Sequence, residues 1–349
     1  MIMKQPPPNT ARTQPPASGG VFHAKTREGY DLPIIDITHP RFAVPDDAAA
    51  LGRMREIYFR EHRQRRLIPR FLLRLLFRQL AKKSRLAAAL FNPGASSYLD
   101  SISTYVMKLG ADNLVPPFDT QADRRFATAS HIPLLRLRMQ QIATLLCEGI
   151  AGDPAFAGTA PLHLINIAGG PALDSINGLL LLKKKRPELL HRAIMIHVLD
   201  RNPDGAFFGA NALAVLKGED GPLNGLDVSF AHQDYDWDQP APLTRLMQDL
   251  TAAGALIIAS SEGGLFEYGS DQAIVDNLRI LHEGARFVAG SVTNGDAIRR
   301  WMIAMSRFKV IPRGLEGFAP LAEAARFTIA QTRSAMVSEQ VLLIPGGVN

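Results

Sequence analysis

Cysteine is almost missing from this chain. Cys147 is the only one in 349 residues, which excludes an intramolecular disulfide framework and any metal site built on two thiolates. Such scarcity suits a reducing cytoplasm, the compartment expected here. The nine histidines are scattered, with no H-E-x-x-H or comparable cluster, so no metal is expected. Long apolar runs are also lacking. No stretch approaches the roughly 18 uncharged apolar residues that span a bilayer. Residues 1–20 are rich in proline and small polar residues, with Pro6, Pro7, Pro8, Pro15 and Pro16 among them. They contain no apolar segment for a signal peptide and read as a disordered tail.

Positive charge is present but confined. The net charge is +6, yet residues 51–85 alone carry twelve Lys or Arg against Glu56 and Glu61, an excess of ten. The remainder is therefore mildly acidic, unlike a surface built throughout to hold nucleic acid. Asp46 or Asp47 can cap a helix from Ala48 to about Gln64, and Pro69 suits the start of another. From there Arg70, Arg74, Arg78 and Lys82 recur every four residues, with Leu72, Leu76 and Leu80 on the other side. This spacing predicts an amphipathic helix with a basic stripe. The stripe reads first as a solvated face; an anionic substrate, an acidic partner or peripheral membrane contact are its functional readings. Residues 30–38 read as extended and 96–149 as mostly helical. Tyr98 and Tyr105 are seven apart on one helical face and are expected to pack.

The rest of the chain is organised around residues 162–175, L-H-L-I-N-I-A-G-G-P-A-L-D-S. Leu162, Leu164, Ile165 and Ile167 form a run suited to the middle of a parallel sheet. Ala168 to Ala172 then make a turn poor in side chains, which lets a ligand approach the backbone. Asp174 or Ser175 can cap the helix that follows, whose free N–H groups favour an anion. Three more apolar runs follow: 194–199 before Asp200, 228–231 before His232-Gln233-Asp234-Tyr235, and 255–259 before Ser260-Ser261-Glu262-Gly263-Gly264. Each is an apolar strand with polar or small residues at its C-terminal end. A doubly wound α/β sheet places its ligand there.

In this order the residues resemble the class I S-adenosylmethionine-dependent methyltransferases, from about Thr159 to the C-terminus. In that family the first strand ends in an acid or amide and a G-x-G-x-G-like turn under the methionine part of the cofactor. Asn166, Ala168, Gly169 and Gly170 stand in that place, with Ala168 and Ala172 where the turn has glycine. The resemblance implies a ribose acid at Asp200, followed by Arg201, and an adenine acid at Asp234 beside Tyr235. Asp236 competes for the adenine role, because D-Y-D-W allows a shift of two. Ser260, closing the fourth strand, completes the implied contacts to S-adenosyl-L-methionine. The tail carries the resemblance furthest. After strand five at 286–291 come Phe308-Lys309-Val310-Ile311, a P-R-G-L-E-G-F turn and helix, and a last strand at 338–344. That late strand, helix and strand look like the antiparallel pair closing this family's sheet.

The implied fold is α/β: a seven-stranded, mostly parallel, doubly wound sheet with a C-terminal antiparallel strand, preceded by a mainly helical segment. The expected units are the tail 1–20, a helical substrate or lid domain 21–150, and a cofactor-binding domain 151–349. The expected reaction is methyl transfer to an O, N or C nucleophile of a small-molecule metabolite. Glu262 and His131 are the candidate bases, with His232 less well placed. V-P-P-F at 115–118 resembles a motif of amino-methylating enzymes, but S-S-E-G-G already fills its place after strand four, so it reads as a loop. The alternatives are an RNA or protein methyltransferase anchored by the basic helix, an NAD(P)-dependent reductase, and a non-catalytic binder. The reductase motif G-x-G-x-x-G is unmatched, since Ala168 and Leu173 stand at its ends, and no Y-x-x-x-K follows strand four. Self-association is left open.

Overall fold

The computed structural model describes residues 20–91, 100–306 and 308–346. The expected tail, apart from Gly20, and Tyr98 lie outside the described residues.

The chain opens with two short antiparallel strands, β1 (His23–Lys25) and β2 (Asp31–Pro33). The expected extended segment is thus a strand only at its start. Six helices follow: α1 (Ala48–Arg66), α2 (Arg70–Ala81), α3 (Arg85–Phe91), α4 (Ser101–Leu109), α5 (Gln121–Ala127) and α6 (Ile132–Gly152). Asp47 caps α1, accepting from the amides of Ala49 and Ala50. Pro69 precedes α2, whose first helical residue is Arg70. The V-P-P-F segment lies in a turn. Tyr105 is buried; it donates to the Pro33 carbonyl and accepts from the Ile35 amide at 3.1 Å, tying α4 to the strand segment.

Alternation of strand and helix then begins: β3 (Leu162–Ile167), α7 (Leu173–Lys185), β4 (Ile194–Leu199), α8 (Pro203–Lys217), β5 (Val228–Gln233), α9 (Ala241–Ala252) and β6 (Leu256–Ser261). It continues through α10 (Leu265–Tyr268), α11 (Asp271–His282), β7 (Ala285–Thr293), α12 (Ala297–Met305), α13 (Gly314–Ala324), β8 (Phe327–Ser334) and β9 (Ser338–Pro345). The sheet order is β5-β4-β3-β6-β7-β9-β8. β3 to β7 run parallel, and β9 lies antiparallel between β7 and β8. Both neighbours of β3 lie far from it along the chain or across a crossover, so its C-terminal end is the switch point where an open α/β sheet leaves a crevice.

One expectation changes here. The late strand before the closing one is β8, not 308–311. That segment forms no strand, its Ile311 amide donating to the Glu267 carbonyl at 2.8 Å, and Phe308 and Val310 instead line a cavity above the sheet. β8 itself lies at the sheet edge with mostly exposed or half-buried residues, so it lacks the apolar run of a central strand.

The helical part is built onto the sheet. Ile142, Leu146 and Ile150 of α6 belong to the same buried apolar cluster as Leu162, Leu164, Leu179 and Phe287. The boundary expected at 150 falls at the end of α6, within this continuous core.

Candidate active site

A cavity of about 710 Å³ opens over the C-terminal ends of β3, β4, β5 and β6 and is roofed by α1, α4, α6 and α12. Its floor is the turn after β3. Ala168, Gly170 and Ala172 all adopt left-handed backbone, with φ of 53°, 58° and 52°. The two alanines thus hold a conformation that glycine adopts freely and that costs a residue with a Cβ of order 1 kcal/mol or more. Gly264 after β6 leaves the space this turn needs, since a Cβ there would come within 2.7 Å of the Ala168 Cβ.

Asp200 ends β4 beside that turn. Its Oδ2 accepts from the Gly170 amide at 3.0 Å and its Oδ1 from the Asn202 amide at 2.8 Å. Each oxygen has taken one donor and keeps capacity for another, an arrangement suited to adjacent hydroxyls. Burial raises the Asp200 pKa, opposed by those two amides.

After β5 the chain turns Tyr235, Asp236 and Trp237 into the cavity wall. Asp234 is exposed and lies outside that wall, whereas Asp236 is half-buried and paired with Arg201. Of the acids in this turn, Asp236 and Asp238 line the cavity and Asp234 does not. Buried Tyr235 donates to Asn277 and anchors this turn. His232 is exposed, contacting the Asp200 carbonyl at 2.8 Å through Nε2.

Asn166 and Ser260 are buried beneath the floor, outside the cavity lining. The Asn166 amide donates to Asp174 at 2.7 Å and to Ser260 at 3.1 Å. They support the turn from below. Asp174 is thereby occupied and does not cap α7, which begins after Ala172 without a side-chain cap.

Glu262 lines the cavity but is not free to take a proton. One oxygen is held by the Lys108 ammonium of α4 and the other by Arg138 Nε of α6 at 2.6 Å. Arg138 also reaches Glu267 of α10 at 3.0 Å, and Ser291 donates to Glu267 at 3.1 Å. All four charged residues are buried. Burial alone raises the Glu262 pKa, but Lys108 and Arg138 outweigh it, so the carboxyl stays below its ordinary value and ionised. Its role here is to bind the roof to the sheet, and the candidate base at this position is withdrawn on that ground.

His131 does line the cavity, and a second imidazole that sequence reasoning missed lies near it. His62 of α1 sits 6.5 Å from His131 between ring centroids and edge-on to Tyr58 at 4.4 Å. Both ring nitrogens of His62 and Nδ1 of His131 are buried without a partner. Burial and the Arg65 charge push the pKa of His62 down to about 4 and of His131 to about 3. Both rings are neutral at pH 7, poor as strong bases but able to accept a hydrogen bond from an incoming O–H or N–H. Nothing marked His62 within E-H-R-Q-R-R except its burial, which only the fold reveals.

Arg299 of α12 was missed as well. It lines the cavity, makes no ion pair within 4.0 Å among the described residues, and leaves its Nε buried without a partner. Burial lowers its pKa, partly offset by Glu267. Lys108 and Arg138 are thus paired with Glu262 and Glu267, whereas Arg299 has no ion-pair partner among the described residues. Among the described residues no group of three His, Cys, Asp or Glu is placed to hold a metal ion.

Five parallel strands closed on one side by an antiparallel pair are what the resemblance implied. This strand order resembles that of the class I methyltransferases. No family model matches the sequence, and no curated protein matches it. Among solved structures the chain is similar to human N-acetylserotonin methyltransferase in complex with SAM, at 12% identity over 61% of this chain and 56% of that one, TM-score 0.36. It is similar to CalO1, a methyltransferase in calicheamicin biosynthesis in its SAH-bound form, at 15% identity over 77% and 68%, TM-score 0.36. Magnesium protoporphyrin IX methyltransferase from Synechocystis PCC 6803 with bound SAH aligns at 14% identity over 62% and 87%, TM-score 0.41. The chain thus spans little more than half the length of the first of these. Ala168, Asp200 and Asp236 lie on the sheet side of the cavity, and the imidazoles and Arg299 lie toward the roof.

Proposed function

We propose that this protein transfers a methyl group from S-adenosylmethionine to an oxygen or nitrogen of a small organic molecule bearing an anionic group. The observation that carries the reading is Asp200. A carboxylate with spare acceptor capacity on both oxygens, against a left-handed small-residue turn at the switch point, fits the ribose of this cofactor. Tyr235 and Trp237 supply an apolar wall for the adenine, and Asp236 an acceptor for its amino group. When bound, the cofactor supplies a methyl group on a positively charged sulfur. The chain's part is to hold the acceptor in line and keep water out, and such positioning is worth roughly 7–11 kcal/mol. Lys108, Arg138 and Glu262 fix α4 and α6 over the site. Arg299, the unpaired cation, receives the anionic group, and His62 and His131 accept a hydrogen bond from the nucleophile's O–H or N–H.

Calorimetric titration with S-adenosylmethionine, NADH and NADPH tests this. Micromolar binding of the first alone is expected, weakened at least tenfold in Asp200→Ala and in Asp236→Ala but unchanged in Asp234→Ala. Binding of a nicotinamide cofactor, or of none of the three, would overturn the reading.

A further inference from the structure

Helix α2 leaves its outer face in water. Phe71 is 70% exposed, Leu75 54% and Leu76 57%, and just before the helix Leu67 is 85% exposed. With Ile68 and Leu72 these residues recur at spacings of three to five, so they form one strip along the helix. The opposite side is the packed one: Leu73 is buried, and Phe77 stacks flat on Phe91 of α3 at 4.5 Å. Arg70, Arg74 and Arg78, spaced by four, make a second row bordering the strip. The helix thus has three sides, one against the protein, one apolar and exposed, and one cationic. An exposed contiguous apolar strip of this kind marks an interaction surface.

We infer that α2 docks in the plane of an anionic lipid surface, its apolar strip in the acyl boundary and its arginines on the headgroups. Charge selects this occupant. Residues 51–85 carry an excess of ten positive charges. A second copy of the chain would bring the same cations against themselves. A nucleic acid would satisfy the arginines but leave Phe71 and Leu75 in water. A surface that is anionic outside and apolar beneath satisfies both rows at once. No helix among the described residues is long and apolar enough to cross a membrane, so the contact is interfacial. The surface is also continuous with the cavity: Phe77 of α2 and Arg65 of α1 line it, and Trp301 borders both the cavity and a hollow formed by Arg66 to Arg70. Docking places the cavity beside the lipid, on the route of an amphipathic substrate. The inference stands whichever cofactor the cavity takes.

Flotation of the full chain with phosphatidylcholine vesicles, with and without phosphatidylglycerol and at low and high salt, tests it. The protein is expected to float only with the anionic vesicles and to be released by salt. A cation near such a surface is worth about fivefold in partition, so changing Arg70, Arg74 and Arg78 together to Ala weakens binding on the order of 100-fold. Leu75→Ser together with Phe71→Ser abolishes flotation while circular dichroism and thermal midpoint stay unchanged, since both side chains are exposed. Absence of flotation, flotation with neutral vesicles alone, or a dimer in sedimentation equilibrium that these serines dissociate would overturn it.

Discussion

Asp174 shows how a single buried carboxyl carries a pH signature. It is fully enclosed on the first turn of α7, with Oδ1 bonded to Asn166 and Oδ2 without a partner. Burial is the largest influence and, with the nearby Glu262 charge, outweighs the neighbouring Ser260 side chain and Lys108 charge, pushing the pKa up to about 6. The folded state therefore prefers the proton more than the unfolded chain does. Stability falls as pH rises from the ordinary carboxylate range, near 4, through about 6, and stays at the lower level above. Asp174→Asn keeps the shape and an acceptor oxygen and removes the charge. It is expected to raise stability at pH 8 by an amount on the order of 1–3 kcal/mol, read as a higher thermal midpoint, and to change little at pH 4. A lower midpoint at both would show that the carboxylate is needed. Glu262 behaves oppositely: its depressed pKa makes it stabilising above the ordinary carboxylate range, with that contribution lost as pH falls through its folded value.

Among the elements, α6 decides how the roof meets the sheet. Gly149 faces Phe287 of β7, and a Cβ there would come within 2.7 Å of the ring. The ring is itself buried against Phe156, with centroids 6.2 Å apart, so it has little room to withdraw. Gly149→Val is expected to destabilise the protein by about 1–3 kcal/mol through overpacking, read as a lower urea midpoint with an unchanged slope. A neutral result would mean that α6 can rise from the sheet at little cost. The same helix carries Arg138, so an α6 displaced by this change also loosens the pair with Glu262.

At the scale of the molecule, the shared core predicts shared unfolding. The apolar residues of α4 and α6 and those of β3, α7 and β7 form one cluster, and the buried Lys108–Glu262–Arg138–Glu267 network crosses between them. Trp237 after β5 and Trp301 in α12 are the only two tryptophans and report on opposite sides of the cavity. Thermal unfolding followed by tryptophan fluorescence and by far-ultraviolet circular dichroism is expected to give coincident midpoints. An earlier loss of helical signal would show that residues 21–150 unfold as a separate unit.

The parallel strands were legible because each is a short apolar run with small or polar residues at its end, a local signal that burial on both faces imposes on the chain. β3 to β7 and the closing β9 were therefore visible in the residues themselves, and so was Asp200, whose place depends only on where β4 stops. The basic stripe of α2 and the cap at Asp47 were equally local. What the sequence could not express is anything that depends on two distant segments meeting. The edge strand β8 is exposed and lacks the apolar pattern. Asp236 lines the cavity and Asp234 does not, in a turn that Tyr235 ties to Asn277 on α11, 42 residues away. Glu262 changes from a candidate base to a bound anion because α4 and α6 bring Lys108 and Arg138 to it. His62, His131 and Arg299 share a cavity only after α1, α6 and α12 fold over the sheet, since burial and charge pairing are properties of the assembled packing and not of any stretch of chain.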